Sequence, residues 1–143
     1  MIGVTFALLV GLTRPQLEPA SHTAVRALLM AQQNAWNKGD LAGFMAGYWQ
    51  SPQLTFYSGK DKRAGWQETF DRYKARYQAT GKEMGALTFS ELIFEDLAPG
   101  VVLARGRWKL QLKEKSPEGL FSLIVKKLPE GWRVVHDHTS GGD

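Results

Sequence analysis

The amino-acid sequence predicts an α+β domain in which three helices come first and a long antiparallel sheet follows. Three observations predict it. Apolar residues recur at helical spacing through the first 80 residues, and four β-rich segments succeed one another from residue 86 onward. The links between those strands, Ala98-Pro-Gly100, Ser116-Pro-Glu-Gly119 and Pro129-Glu-Gly131, are short and turn-forming, which builds a consecutive meander. Helices segregated in this way cover one face of the sheet. At 143 residues the chain has the length of one domain and can bury a real core.

Taken in order, the chain opens with an apolar run, Ile2 to Leu12, followed by a polar stretch with two prolines, Thr13 to Ala20. The run has the length and flank of a secretory h-region, although no basic residue precedes it and no small-x-small pair marks a cleavage point. Residues 1–20 are therefore read as a signal-peptide remnant or an apolar N-terminal arm, and 21–143 as the domain. The first reading implies an exported, periplasmic or secreted protein; the second implies a cytoplasmic one.

From Ser21 the spacing is helical: Val25, Leu28, Leu29, Gln32 and Trp36 share a face, and Lys38-Gly39 ends it. Asp40 caps a second, shorter helix with Leu41, Phe44, Met45, Tyr48 and Trp49 on its apolar side, stopped by Ser51-Pro52. Leu54 to Ser58 is a short strand, and Lys60-Asp-Lys-Arg63 reads as a charged loop. In the third helix Trp66, Phe70, Tyr73 and Tyr77 form an aromatic stripe that Thr80-Gly81 breaks. The long strands are Ala86–Leu97, Val101–Lys115, Leu120–Leu128 and Trp132–Ser140. Several are apolar on both parities: Leu87, Phe89, Ile93 and Leu97 oppose Leu92 and Phe94. A half-covered sheet alternates cleanly, so the outer face is expected to meet a partner, most simply a second copy in a homodimer.

Composition narrows the chemistry. With no Cys, disulfides, thiol catalysis and Cys-based zinc sites are excluded. No apolar stretch approaches the roughly 20 residues of a bilayer-spanning helix. The net charge of +4 is dispersed evenly, +2 in residues 1–60 and +2 in the rest, so no nucleic-acid footprint is expected. The 11% aromatic content, with five Trp, is generous for a core alone.

Motifs spread over about residues 22–140 carry a resemblance: Trp36-Asn-Lys-Gly-Asp-Leu41, Tyr48-Trp-Gln-Ser-Pro52, Gly65-Trp66, Met84-Gly-Ala-Leu-Thr-Phe89, Val102-Leu-Ala-Arg-Gly-Arg-Trp108 and Gly131-Trp-Arg-Val-Val-His-Asp-His-Thr-Ser140. In this order they resemble the SnoaL-like families of the nuclear transport factor 2-like superfamily, which include ketosteroid isomerase homologues. The resemblance implies a cone-shaped, cystatin-like sheet wrapped around a helix, with an internal cavity and usually a homodimer. It does not imply one function. Ketosteroid isomerases need a carboxylate base near the end of the first strand, where this chain reads Phe56-Tyr57-Ser58, so the isomerase reaction is not expected.

Candidate residues follow from both readings. Strict alternation along the last strand puts Trp132, Val134, His136, His138 and Ser140 on one face and Asp137 on the other. His138 and Tyr57 are the candidate catalytic acid/base groups; Trp36, Trp49, Trp66, Arg107, Trp108 and His136 are candidate ligand contacts. Arg107, if inward, would select a carboxylate. No metal site and no cofactor are expected. The function expected is binding of a small, partly apolar, anionic or neutral molecule in the cone. A small proton-transfer enzyme (isomerase, cyclase or dehydratase) and a ligand-free dimerisation module are the alternatives.

Overall fold

A computed structural model describes residues 16–141; the expectations for the run Ile2 to Leu12 lie outside them. Helix α1, Ala20–Asn37, buries Val25, Leu29, Gln32 and Trp36, one residue per turn along a single side. It ends at Lys38, and Gly39 follows at φ 76°, a left-handed conformation that glycine adopts without a Cβ penalty. Helix α1 lies along the sheet edge: the Asn37 side chain bonds both the N–H and the C=O of Leu87, and Gln33 Oε1 accepts from the Phe89 N–H.

Helix α2, Leu41–Met45, is capped by Asp40, whose carboxylate accepts from the Gly43 N–H at 2.8 Å. It stops short of the expected Trp49. The chain leaves the helix to pair beside Val134: the Trp49 N–H donates to the Val134 carbonyl, and the Val134 N–H donates to the Gly47 carbonyl. Strand β1 is Thr55–Ser58 and β2 is Asp61–Ala64, an antiparallel hairpin. The sequence reads residues 60–63 as a loop, because charged residues on both faces hide a strand; as an edge strand, however, β2 is suited to them. Helix α3, Trp66–Tyr73, runs directly into a π-helical turn, Lys74–Gln78.

Strands β3, Ala86–Ala98, β4, Val101–Gln111, β5, Glu118–Leu128, and β6, Gly131–Thr139, form the expected antiparallel meander. The six strands lie in the order β2-β1-β6-β5-β4-β3, with β1 parallel to β6. The α+β cone anticipated from the sequence is the fold observed: N-terminal helices on one face of a curved, mostly antiparallel sheet.

Two bulges decide which side chains face inward. In β3 the pairing with β4 shifts between Ser90 and Ile93, and Glu91 takes φ 54°. Leu87 and Phe89 pack inward before the bulge, Leu92 and Phe94 after it. In β6 the register jumps beside Val125, so that Val134 pairs with Val125 and His136 with Ile124. The extra residue, Val135, resets the alternation. Much of the two-faced hydrophobicity read from β3 is thus one inward face interrupted by a bulge. Ile93, Leu97 and Leu120 remain on the surface, 51–57% exposed.

Candidate functional site

The helices and the concave face of the sheet enclose a cavity of about 140 Å3. Its walls are rings and aliphatic chains: Leu29 and Trp36 from α1, Phe44 from α2, Phe56 from β1, Tyr73 and Tyr77 from α3 and the π turn, and Phe89, Trp108, Phe121 and Leu123 from the long strands. Trp36 meets Phe44, Tyr73 and Tyr77 edge to face at centroid separations of 5.0, 5.8 and 4.9 Å, the arrangement that aromatic quadrupoles favour. Both indoles of the wall are anchored, Trp36 Nε1 to the Met84 carbonyl and Trp108 Nε1 to the Ser140 carbonyl, each at 2.9 Å.

The polar centre is Asp137, 4% exposed. It stands in β6 between Phe56 of β1 and Leu123 of β5. The Tyr48 hydroxyl donates to Oδ2 at 2.8 Å and the Thr139 hydroxyl to Oδ1 at 2.6 Å. Burial pushes the Asp137 carboxyl up to about 6, against the pull of those two hydrogen bonds and of His138. Burial first, and the Asp137 charge second, hold the Tyr48 and Tyr73 phenols well above their ordinary range. One carboxyl that exchanges a proton near pH 6 therefore sits among neutral phenols in an apolar chamber.

The exposed lining residues Asp61, Arg72 and Arg76 mark the mouth, beside the half-buried Arg63. Arg63 lies 3.4 Å from Asp61 and 3.6 Å from Glu68, and Arg72 lies 3.6 Å from the same Asp61 oxygen. Arg76 sits over the Tyr77 ring, 5.5 Å from its centroid.

Of the residues singled out in the sequence, Trp36 and Trp108 line the cavity. Trp66 donates its indole N–H to the Met45 carbonyl and packs on Phe70 at 4.9 Å, and Trp49 is held at the start of the Val134 pairing; neither lines the chamber. Arg107 points outward into ion pairs with Glu91 at 3.0 Å and Glu118 at 3.4 Å. Tyr57, His136 and His138 do come together, but on the outer face: the Tyr57 ring stands edge-on to His136 at 5.1 Å and to His138 at 6.0 Å. Thr55 bonds His136 Nδ1, and burial together with His138 lowers the His136 pKa.

The expected inward placement of His136 and His138 is thus corrected. Alternation counted from Trp132 groups them with Val134, whereas the bulge at Val135 turns Val134, Asp137 and Thr139 to the same side. Sequence reasoning missed Asp137 for that reason, and it took Tyr48 only as an apolar-face residue. The signal available was the one acidic residue of the strand, set between His136 and His138, since a carboxylate buried in a sheet needs a partner.

A solved structure of an NTF-2-like protein of unknown function from Shewanella oneidensis matches with a TM-score of 0.78 at 36% identity, over 82% of this chain and 97% of that one. The chain belongs to the NTF2-like family. More distant neighbours share the fold alone. A cystatin-like-fold protein of unknown function from Nostoc punctiforme has TM-score 0.68 at 11% identity, covering 84% of this chain and 90% of that one. An NTF2-like superfamily protein from Salmonella enterica has TM-score 0.68 at 17% identity, over 86% and 92%. No family model and no curated protein sequence matches the chain. Within the NTF2-like cone the chemistry belongs to individual side chains, so function is argued from Asp137, its two donors and the mouth.

Proposed function

We propose that this NTF2-like protein binds a small, partly apolar molecule inside its cone. The observation that carries the reading is a ring-walled chamber with one buried carboxyl and an open, charged mouth. Ligand pockets usually exceed ~300 Å3, but an apolar cavity of ~150 Å3 holds benzene. At about 140 Å3 this chamber suits a ligand with a single ring or a short chain. Native mass spectrometry of protein purified from its own source tests the proposal. A co-purifying small molecule is expected; bare protein, together with no saturable response to a library of small aromatic fragments, overturns it.

Proton transfer is the second reading, and the buried Asp137 beside Tyr48 supports it better than His138 or Tyr57, which lie across the sheet. A carboxyl that titrates near neutrality can act as acid or base in water-poor surroundings. Exchange of acidic C–H protons of small carbonyl compounds in D2O, abolished by Asp137→Asn, is the expected outcome; no exchange by the unaltered protein overturns this reading.

For the outer face the proposal is a second copy of the chain. Ile93 and Leu120 are exposed there among mixed charges, Arg105 with Glu95 and Arg107 with Glu91 and Glu118, a self-complementary pattern. Sedimentation analysis should give twice the 16.0 kDa chain mass, reduced to the monomer by Leu120→Asp. A monomer at micromolar concentration overturns it.

A further inference from the structure

The mouth of the cavity carries more positive charge than its own acids balance. Three guanidinium groups, Arg63, Arg72 and Arg76, line it against two carboxylates, Asp61 on the lining and Glu68 beside Arg63. Arg63 is already engaged, only 17% exposed and set between Asp61 and Glu68. Arg72 keeps only a loose 3.6 Å contact to the same Asp61, and Arg76 has no acidic partner among the described residues. The two less committed guanidiniums are four residues apart on one helix side, where the π turn Lys74–Gln78 keeps Arg76 and Tyr77 both on the cavity lining.

The rest of the chamber limits what such a pair can hold. Its walls are apolar, and its volume of about 140 Å3 admits roughly one six-membered ring. Both oxygens of Asp137 already accept protein hydrogen bonds, from Tyr48 and Thr139. A cationic ligand would have to pass three arginines to reach it. Planar guanidinium forks, by contrast, match a carboxylate in two parallel hydrogen bonds.

Resting on the proposal that the cone binds a small molecule, we infer that the ligand is a monocyclic or short-chain carboxylic acid, its apolar body inside the cone and its carboxylate on Arg72 and Arg76. Fused multi-ring substrates are too large for the chamber. Arg72 and Arg76 are the specificity-determining residues, selecting the anionic acid over neutral molecules of the same shape.

The two wall indoles supply a local readout. Only Trp36 and Trp108 of the five tryptophans line the cavity, so their indole N–H signals in a 1H–15N spectrum report occupancy. The 15N-labelled protein is titrated with benzoate, phenylacetate and cyclohexanecarboxylate, with the matching primary amides, and with inorganic phosphate. Saturable shifts at Trp36 and Trp108 are expected with at least one acid, with at least tenfold weaker binding of its amide and no response to phosphate. The charge-removing double variant Arg72→Gln, Arg76→Gln should erase the acid's advantage over its amide, with the indole signals outside the cavity marking a folded protein. Equal binding of acid and amide, or an undiminished preference in the variant, overturns the carboxylate inference and leaves cavity binding standing. Shifts with phosphate as large as with the acids reduce the rim to a general anion surface and overturn it too. Silence of both indoles toward every probe at millimolar concentration sinks this inference and counts against the cavity reading itself.

Discussion

The Tyr48 hydroxyl donates a 2.8 Å hydrogen bond to Oδ2 of Asp137, linking residues 89 positions apart inside the cavity. Removing that donor separates its worth to the charged carboxyl from its worth to the neutral one. Tyr48→Phe should cost about 1.5–3 kcal/mol at pH 7.5, where Asp137 is ionised, and only about 1 kcal/mol at pH 4.5. Urea unfolding at the two pH values measures both. Equal losses would mean that the hydroxyl contributes the same to the charged carboxyl as to the neutral one.

Asp137 also predicts a pH profile for the fold. Its carboxyl stands at about 6 in the folded chain against an ordinary value of 3.8. Between those values the folded state holds a proton that the unfolded state has released, so stability is greatest at the acid end of the window and falls as pH rises through 6. The full difference is about 3 kcal/mol. Asp137→Asn keeps the shape, removes the titration, and should raise the melting temperature at pH 7.5 while flattening the slope between pH 4 and 6.5. A variant whose slope matches the parent would place the titrating group elsewhere.

Gly106 sits opposite Phe121 in the β4–β5 pairing. A Cβ there would stand 2.6 Å from Phe121 Cζ and 2.9 Å from Leu92 Cδ2. Gly106→Ala is therefore expected to cost about 1–3 kcal/mol and to push the Phe121 ring into the chamber. Thermal unfolding reads the first effect, and loss of fragment-induced shifts at the Trp36 and Trp108 indoles reads the second.

His138 is exposed on the outer face, apart from the cavity walls. His138→Ala should change stability by less than about 0.5 kcal/mol. It should also leave the Trp36 and Trp108 indole shifts on fragment binding unaltered. A lost response at those indoles would reassign the histidine to the chamber.

Local signals carried most of the architecture. The Asp40 cap, the Gly39 stop, the one-per-turn burial of Val25, Leu29, Gln32 and Trp36, and the three Pro/Gly links are short-range features whose meaning does not depend on distant residues. What the sequence concealed was set at long range. Strand β2 exists because β1 pairs with it, not because Asp61-Lys-Arg-Ala64 favours a strand. Tyr48 became a donor to Asp137 only when α2 ended early and the chain paired beside Val134. A bulge leaves no composition signal: Glu91 and Val135 read as ordinary strand residues, yet each shifts the alternation by one, so a parity count misplaces the residues beyond it. The candidate site was therefore half legible. Trp36 and Trp108 were visible through helix and strand periodicity, while Asp137 was assigned to the wrong side by a count that ran through the extra residue.

The bulges in β3 and β6 carry a consequence for how this chamber can change. An inserted residue bends and twists its strand, so the curvature that keeps the cone open depends on strand length as well as on side-chain identity. Deleting Val135 would leave Val134 against Val125 and His136 against Ile124, the same residues facing the same ways, in a flatter sheet. The space inside can thus widen or close by single-residue insertions and deletions in its strands while Asp137, Tyr48 and the surrounding rings are retained. Capacity and chemistry are, in this architecture, separately adjustable.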